Sequence, residues 1–364
     1  MRFSPCTLTG AWKDCKRFKS LSSKTMNPIT RKRIANFKSN KQGYASFLIF
    51  IVLFTVSIFA EFIANDKPIL VSYKNELYFP IFKSYPETTF NGDFETETDY
   101  HDPYIVAKIN AQGWIINPVI PYSYNTINYS LETPAPSAPT TKNWLGTDDE
   151  GRDVSARLIY GFRVSILFGL ALTVVSSVIG IAAGAIQGYF GGLIDLIFQR
   201  FIEIWSGLPL LFMLIILSSF VEPNFWWLLS IMLMFSWMDL VGVVRAEFLK
   251  TRNYEYVKAA RALGVGEFRI IIRHILPNAF TAALTFIPFV LNGSIATLTS
   301  LDFLGFGLPA GSASLGELLS QGKNNPQAPW LGITGFFTLA LLLSLLIFIG
   351  EAFRDAMNPR RTRV

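Results

Sequence analysis

The sequence predicts an all-α polytopic membrane protein with six spans and a small, partly β insertion between the first and second. Three observations predict it. The 364 residues are 51% hydrophobic and only 16% charged, against roughly 25% charged in soluble domains. Six apolar runs approach the ~20 residues that a helix needs to cross the hydrocarbon layer. Lys and Arg gather beside those runs, in the pattern that sets membrane orientation. Phenylalanine alone contributes 32 side chains, and a lipid-embedded chain has no need to cover them.

Residues 1–43 form a basic segment with eleven of the 32 Lys and Arg. Met26 opens a stretch that would itself serve as a start, so residues 1–25 read as an extension without a functional role. They hold both cysteines, Cys6 and Cys15, and the chain has only two histidines, His101 and His274. Neither a disulfide framework nor a metal site is expected from that set. The first span is expected at 44–64. Its length and the lack of a small-x-small cleavage site make it an anchor rather than a cleaved leader.

Residues 65–143 carry five lysines, no arginine and nine acids, and form the one sizeable extramembrane piece. Two β-prone runs, Ile69 to Tyr73 and Glu76 to Phe79, flank Lys74-Asn75 and suggest a hairpin. Gly113 to Ile116 suggests a further strand, and the Pro-rich stretch 133–139 leads back to the membrane. The transport core is placed at 144–355, with spans at 164–189, 202–221, 225–244, 279–300 and 330–350. A basic tail, 356–364, ends the chain. The 245–278 loop holds seven basic residues, and the chain beyond Gly350 four. These short segments put the N-terminus, that loop and the C-terminus in the cytoplasm. Six spans starting inside place all three on one side. No stretch interleaves basic and aromatic residues on a polar face, so nucleic acid is not an expected partner.

The most informative segment is Tyr256-Val257-Lys258-Ala259-Ala260-Arg261-Ala262-Leu263-Gly264, followed by Ile275-Leu276-Pro277-Asn278. Asn253 is placed to cap a helix starting near Tyr254. Gly264 is placed to end it in a left-handed turn. A short helix with alanines on its contact face can enter a groove on a soluble partner, while Lys258 and Arg261 pair with acids on the rim. On spacing alone the commoner reading is an amphipathic segment resting on anionic lipid.

The segment resembles the "EAA" loop of permeases in binding-protein-dependent ABC importers: Glu-Ala-Ala, three residues, Gly, nine residues, then Ile-x-Leu-Pro. Ala259, Ala260, Gly264, Leu276 and Pro277 match. Lys258 replaces the Glu and His274 the Ile, as in the dipeptide and oligopeptide branch. Two more segments are similar to that branch: Asn143-Trp144-Leu145-Gly146-Thr147-Asp148-Asp149-Glu150-Gly151-Arg152-Asp153-Val154, and Leu301-Asp302-Phe303-Leu304-Gly305-Phe306-Gly307-Leu308-Pro309. The first reads as an acidic turn feeding an amphipathic helix through Ile159 at the outer interface. Its Asp148-Asp149-Glu150 lacks the ligand spacing of a calcium loop. The second reads as a bent segment at the outer end of the path, or as a re-entrant turn that only seals the bundle. In the insertion, Asn65-Asp66-Lys67-Pro68 and Pro121-Tyr122-Ser123-Tyr124-Asn125-Thr126-Ile127-Asn128 resemble the subgroup that imports peptides and the peptide–nucleotide antibiotic microcin C.

The resemblance implies the type-1 importer permease fold in a bacterial inner membrane. It implies a second, homologous permease, one or two ATPase subunits docked at Lys258 to Gly264 and at Leu276-Pro277, and a periplasmic peptide-binding protein. This chain itself has no G-x-x-x-x-G-K-[ST] phosphate loop. It is expected to bind no cofactor, ATP and Mg being used by the partner, and to be no enzyme. For the translocation path the candidates are Glu203 and Asp239, since charges in spans usually face a cavity or a partner, and Ser206 and Pro209, which with Gly207 are expected to break helix regularity and expose backbone groups to a water-filled path. Arg200 and Glu203 have helical pairing distance, and Asp239 either pairs with Arg245 or faces the second permease. The rivals are a self-sufficient secondary transporter using Glu203 and Asp239 for protons, and an anchored scaffold whose insertion does the work.

Overall fold

The computed structural model describes residues 28–357 except 219, 222, 223 and 310. The readings for Cys6, Cys15, a start at Met26, and the end of the basic tail fall outside the described residues. A basic helix α1 (Pro28–Ser39) precedes α2 (Lys41–Ile58), which Asn40 caps by accepting from the Gly43 N–H at 3.1 Å. A single turn, α3 (Ala60–Ile63), leads into the insertion.

The insertion holds a three-stranded antiparallel sheet in the order β2-β1-β3: β1 (Leu70–Tyr73), β2 (Glu76–Tyr78) and β3 (Gly113–Ile116). Lys74 and Asn75 take positive φ, 51° and 66°, the geometry of a two-residue hairpin turn. Helix α4 (Pro103–Gln112), capped by Asp102, packs Ile105 and Ile109 on Val71 and Tyr73. Phe90 fills the centre, edge-on to Tyr73, Tyr78 and Tyr100 at 5.6, 5.3 and 5.9 Å. The ion pair from Lys67, with the Ser84 hydroxyl, holds the Glu97 carboxyl below its ordinary range.

Helix α5 (Val154–Phe190) is the axis of the bundle. Its 37 residues make it about 55 Å long, far longer than a span requires. The helix expected through Ile159 forms as the first turns of α5, continuous with the second span. Arg157, on that stretch, is fully buried by protein. Asp153 caps α5 by accepting from the Ala156 N–H at 2.9 Å; burial raises its pKa against that bond.

The remaining core runs α6 (Gly192–Ser206), α7 (Leu210–Ser218), α8 (Phe225–Ser236), α9 (Met238–Thr251), α10 (Glu255–Ala262) and α11 (Glu267–Ile270). A π-helical turn, Ile271–Ile275, joins α11 to α12 (Leu276–Leu284). Then come α13 (Ile287–Phe303), α14 (Leu315–Asn324) and α15 (Pro329–Met357). Among the described residues, four segments are long and apolar enough to cross a membrane: α2, α5, α8 with α9, and α15. Two further pairs pass the same test only when taken together across a bend, α6 with α7 at 67° and α11–α12 with α13 at 51°; counting each as one span gives six. Helix is already present from Gly192, ahead of the 202 expected for the third span, and it breaks at Gly207 to Pro209, where Pro209 removes a helix donor.

Candidate functional site

Helix α10 is held from three sides. Val257 and Ala260 face inward, packing with Ala185 and Tyr189 of α5, Val244 and Phe248 of α9, and Ile275 and Ala279 on the way into the next span. Arg261 donates to the Tyr189 hydroxyl at 3.0 Å and pairs with Glu267 at 3.3 Å. Tyr256 donates to the His274 carbonyl at 3.4 Å and accepts from Asn278 at 3.1 Å. Arg252 donates to the Gly188 and Tyr189 carbonyls, at 3.2 and 3.1 Å, closing the C-terminal end of α5.

The expected contact face shifts accordingly. Ala260 belongs to the inner face, because an eight-residue helix lying on a bundle must bury one side. The outer face is Lys258, Ala259, Ala262 and Leu263, with Phe268 beside it; Leu263 and Phe268 are 83% and 75% exposed. Lys258 pairs with Glu255 at 3.1 Å within the same turn. Asn253 does not cap α10. Tyr254 is the cap residue, and the Asn253 amide donates back to the Leu249 carbonyl at 3.1 Å.

Gly264 does end α10, with φ +76°. The Val265 N–H reaches the Ala260 carbonyl at 3.1 Å and the Gly264 N–H that of Arg261 at 3.0 Å, the two bonds of a Schellman turn. A Cβ at 264 would meet no atom of this chain, so the demand for glycine is conformational. Leu276 is partly buried against the α10 cluster, and the exposed Pro277 opens α12.

The path candidates are not brought together. Glu203 pairs with Arg200 at 2.5 Å, and both are exposed. Ser206 donates to the Glu203 carbonyl at 3.3 Å, just before the break at Pro209. Asp239 has no ion pair among the described residues. Its expected partner Arg245 instead forks onto Asp195 of α6, at 2.5 and 2.7 Å, fifty positions away.

At the other end of α5, residues 143–154 form a buried clamp. Arg152 binds Asp148 at 2.7 Å, Glu150 at 3.0 Å and Glu317 of α14 at 3.3 Å. Arg157 lies 3.4 Å from Asp148 and 2.9 Å from Glu317. The Asp148 carboxylate, considered as a calcium ligand, is thus taken by two guanidiniums. The 301–309 segment closes on the same place: Asp302 accepts from Ser314 at 2.5 Å and from the Leu308 N–H at 2.7 Å.

Some working residues escaped the sequence reading. Gly180, Gly184 and Gly188 recur every fourth position and let α9 lie against α5: a Cβ on them would stand 2.4 Å from the Trp237 carbonyl, 2.8 Å from that of Val241 and 2.5 Å from the Phe248 Cβ. Their spacing is a small-xxx-small signal that could have been found. Tyr189 and Glu317 carry no such signal.

The model of the family described as "Binding-protein-dependent transport system inner membrane component" matches residues 155–363. The chain belongs to this family. It is a permease component with several membrane-spanning helices. It is similar to the "Inner membrane ABC transporter permease protein YejE" of Escherichia coli, 58% identical over 92% of this chain and 98% of that one. The "Peptidoglycan transport system permease protein YejE" of Agrobacterium fabrum is 56% identical over 92% and 94%. An "Oligopeptide transport system permease protein OppC" of Lactococcus lactis is 36% identical over 61% and 77%. A solved amino acid ABC transporter matches 55% of this chain and 94% of its own with TM-score 0.43 and 16% identity.

Proposed function

We propose that this chain is one of two permease subunits in an ATP-driven importer that carries peptides across the inner membrane into the cytoplasm. Its insertion lies in the periplasm, where a binding protein delivers cargo, and both termini lie inside. An ATPase subunit grips the outer face of α10, and nucleotide-driven closure moves α10 as a lever. The observation that carries this reading is the two-sided character of α10: an apolar, small-residue face left open, and an inner face tied to α5, α9 and α12. Such a joint passes displacement to several spans at once. Peptide cargo follows from the branch-type motifs and from the oligopeptide and peptidoglycan systems named for the relatives; microcin C is a candidate of the same chemical class. The chain makes and breaks no covalent bond.

The test is crosslinking. With Cys6 and Cys15 replaced by serine, Leu263→Cys is expected to crosslink to an ATPase subunit and to react with an impermeant maleimide only from the cytoplasmic side. Labelling from the periplasm, or capture of no ATPase, would overturn the proposal.

A further inference from the structure

A cavity of about 270 Å³ opens beside the clamp at the N-terminal end of α5. Asp149, Glu150, Asp302, Glu317, Gln321 and Asn324 are among the residues that line it. With Asp148, five carboxylates gather here, and Arg152 and Arg157 are the guanidiniums bonded to them. Lys323, on the same helix as Gln321, lies over the Phe303 ring at 5.5 Å. Asp302 spends both oxygens on Ser314 and Leu308. Asp149 stands exposed at the rim of the cavity and has no ion-pair partner among the described residues. Negative charge is therefore in excess around a partly closed space that solvent reaches, and it attracts a counter-charge.

Gln321 gives an independent sign. It is only 7% exposed. Its amide nitrogen donates to Glu317 at 3.4 Å, while its Oε1 has no hydrogen-bond partner. A buried acceptor left without a donor is destabilising and calls for one from outside the chain. The ligand that answers both facts is positively charged, rich in donors and free of acceptors. A primary ammonium has three donors and no acceptor.

We propose that this cavity receives the α-ammonium group of an incoming peptide. The inference rests on the peptide-permease reading and deepens it, naming the part of the cargo that the outer mouth recognises. The volume suits a peptide's first residue rather than a whole peptide. Asp149 supplies the charge, Gln321 the neutral acceptor, and the clamp holds both helices at fixed spacing.

The test uses the whole complex in proteoliposomes: both permeases, the ATPases and the binding protein. Uptake of trialanine and N-acetyl-trialanine is compared for the natural chain, Asp149→Asn and Gln321→Met. The binding protein is common to all three, so its own preference cancels. Asp149→Asn is expected to lower the ratio of free to acetylated uptake about two- to fivefold, the loss of one ion pair at an exposed carboxylate. Gln321→Met, of similar length but lacking the oxygen, lowers it less. An unchanged ratio in both variants overturns the assignment. A variant effect that vanishes when sodium is replaced by choline assigns the cavity to an inorganic cation and also overturns it. If the natural complex moves neither peptide, the peptide reading itself falls, a separate outcome.

Discussion

Arg157 has no exposed surface, and its two acidic neighbours, Asp148 and Glu317, come from segments far apart in the chain. Replacing it by methionine keeps the volume but leaves both carboxylates to Arg152 alone, with one negative charge uncompensated. Such a loss costs about 3–5 kcal/mol, so Arg157→Met is expected to lower the thermal midpoint of the solubilised protein sharply. Arg200→Met breaks an exposed pair and is expected to cost under about 1 kcal/mol. The contrast marks what is legible at this scale. The sequence shows Asp148 and Arg152 within one motif, and three-residue spacing joins Arg200 to Glu203 correctly. It cannot show Glu317, which lies 165 positions from Arg152, or that Asp195 outcompetes Asp239 for Arg245. Ion pairs between helices depend on packing, and no local spacing encodes it.

Between elements, the contact of α5 with α9 rests on backbone approach. At Gly188 an added methyl would meet the Arg245 carbonyl at 2.6 Å as well as Phe248, and backbone cannot step aside. Gly188→Ala is expected to destabilise by about 1–3 kcal/mol, as overpacking does. Gly242→Ala, on α9 but facing open space, is expected to be neutral or mildly stabilising. Thermal unfolding of both variants checks the pair. Elements with strong local chemistry were readable: the Lys74-Asn75 hairpin, the Gly264 stop and the break before Pro209. The length of α5 was not. Arg157 and Arg163 interrupt its apolar run, and a sequence does not reveal that protein rather than water surrounds the first of them.

For the whole molecule, α5 joins the two working ends. Its first turns carry the clamp and its last turn carries Tyr189, bonded to Arg261 of α10. Tyr189→Phe removes that bond and keeps the ring. It is expected to leave assembly intact and to raise ATP hydrolysed per peptide imported by about two- to tenfold, for the loss of a bond to a charged group. A ratio equal to that of the natural chain would show that Tyr189 transmits nothing. The Schellman turn after α10 has its own bearing on the transport cycle. Because Val265 and Gly264 already occupy the carbonyls of Ala260 and Arg261, the helix tip has those acceptors satisfied, with Leu263 exposed beside them. In the docking proposed above, those two carbonyls need no partner from an ATPase subunit, so a contact made at this tip leaves no backbone acceptor stripped of water.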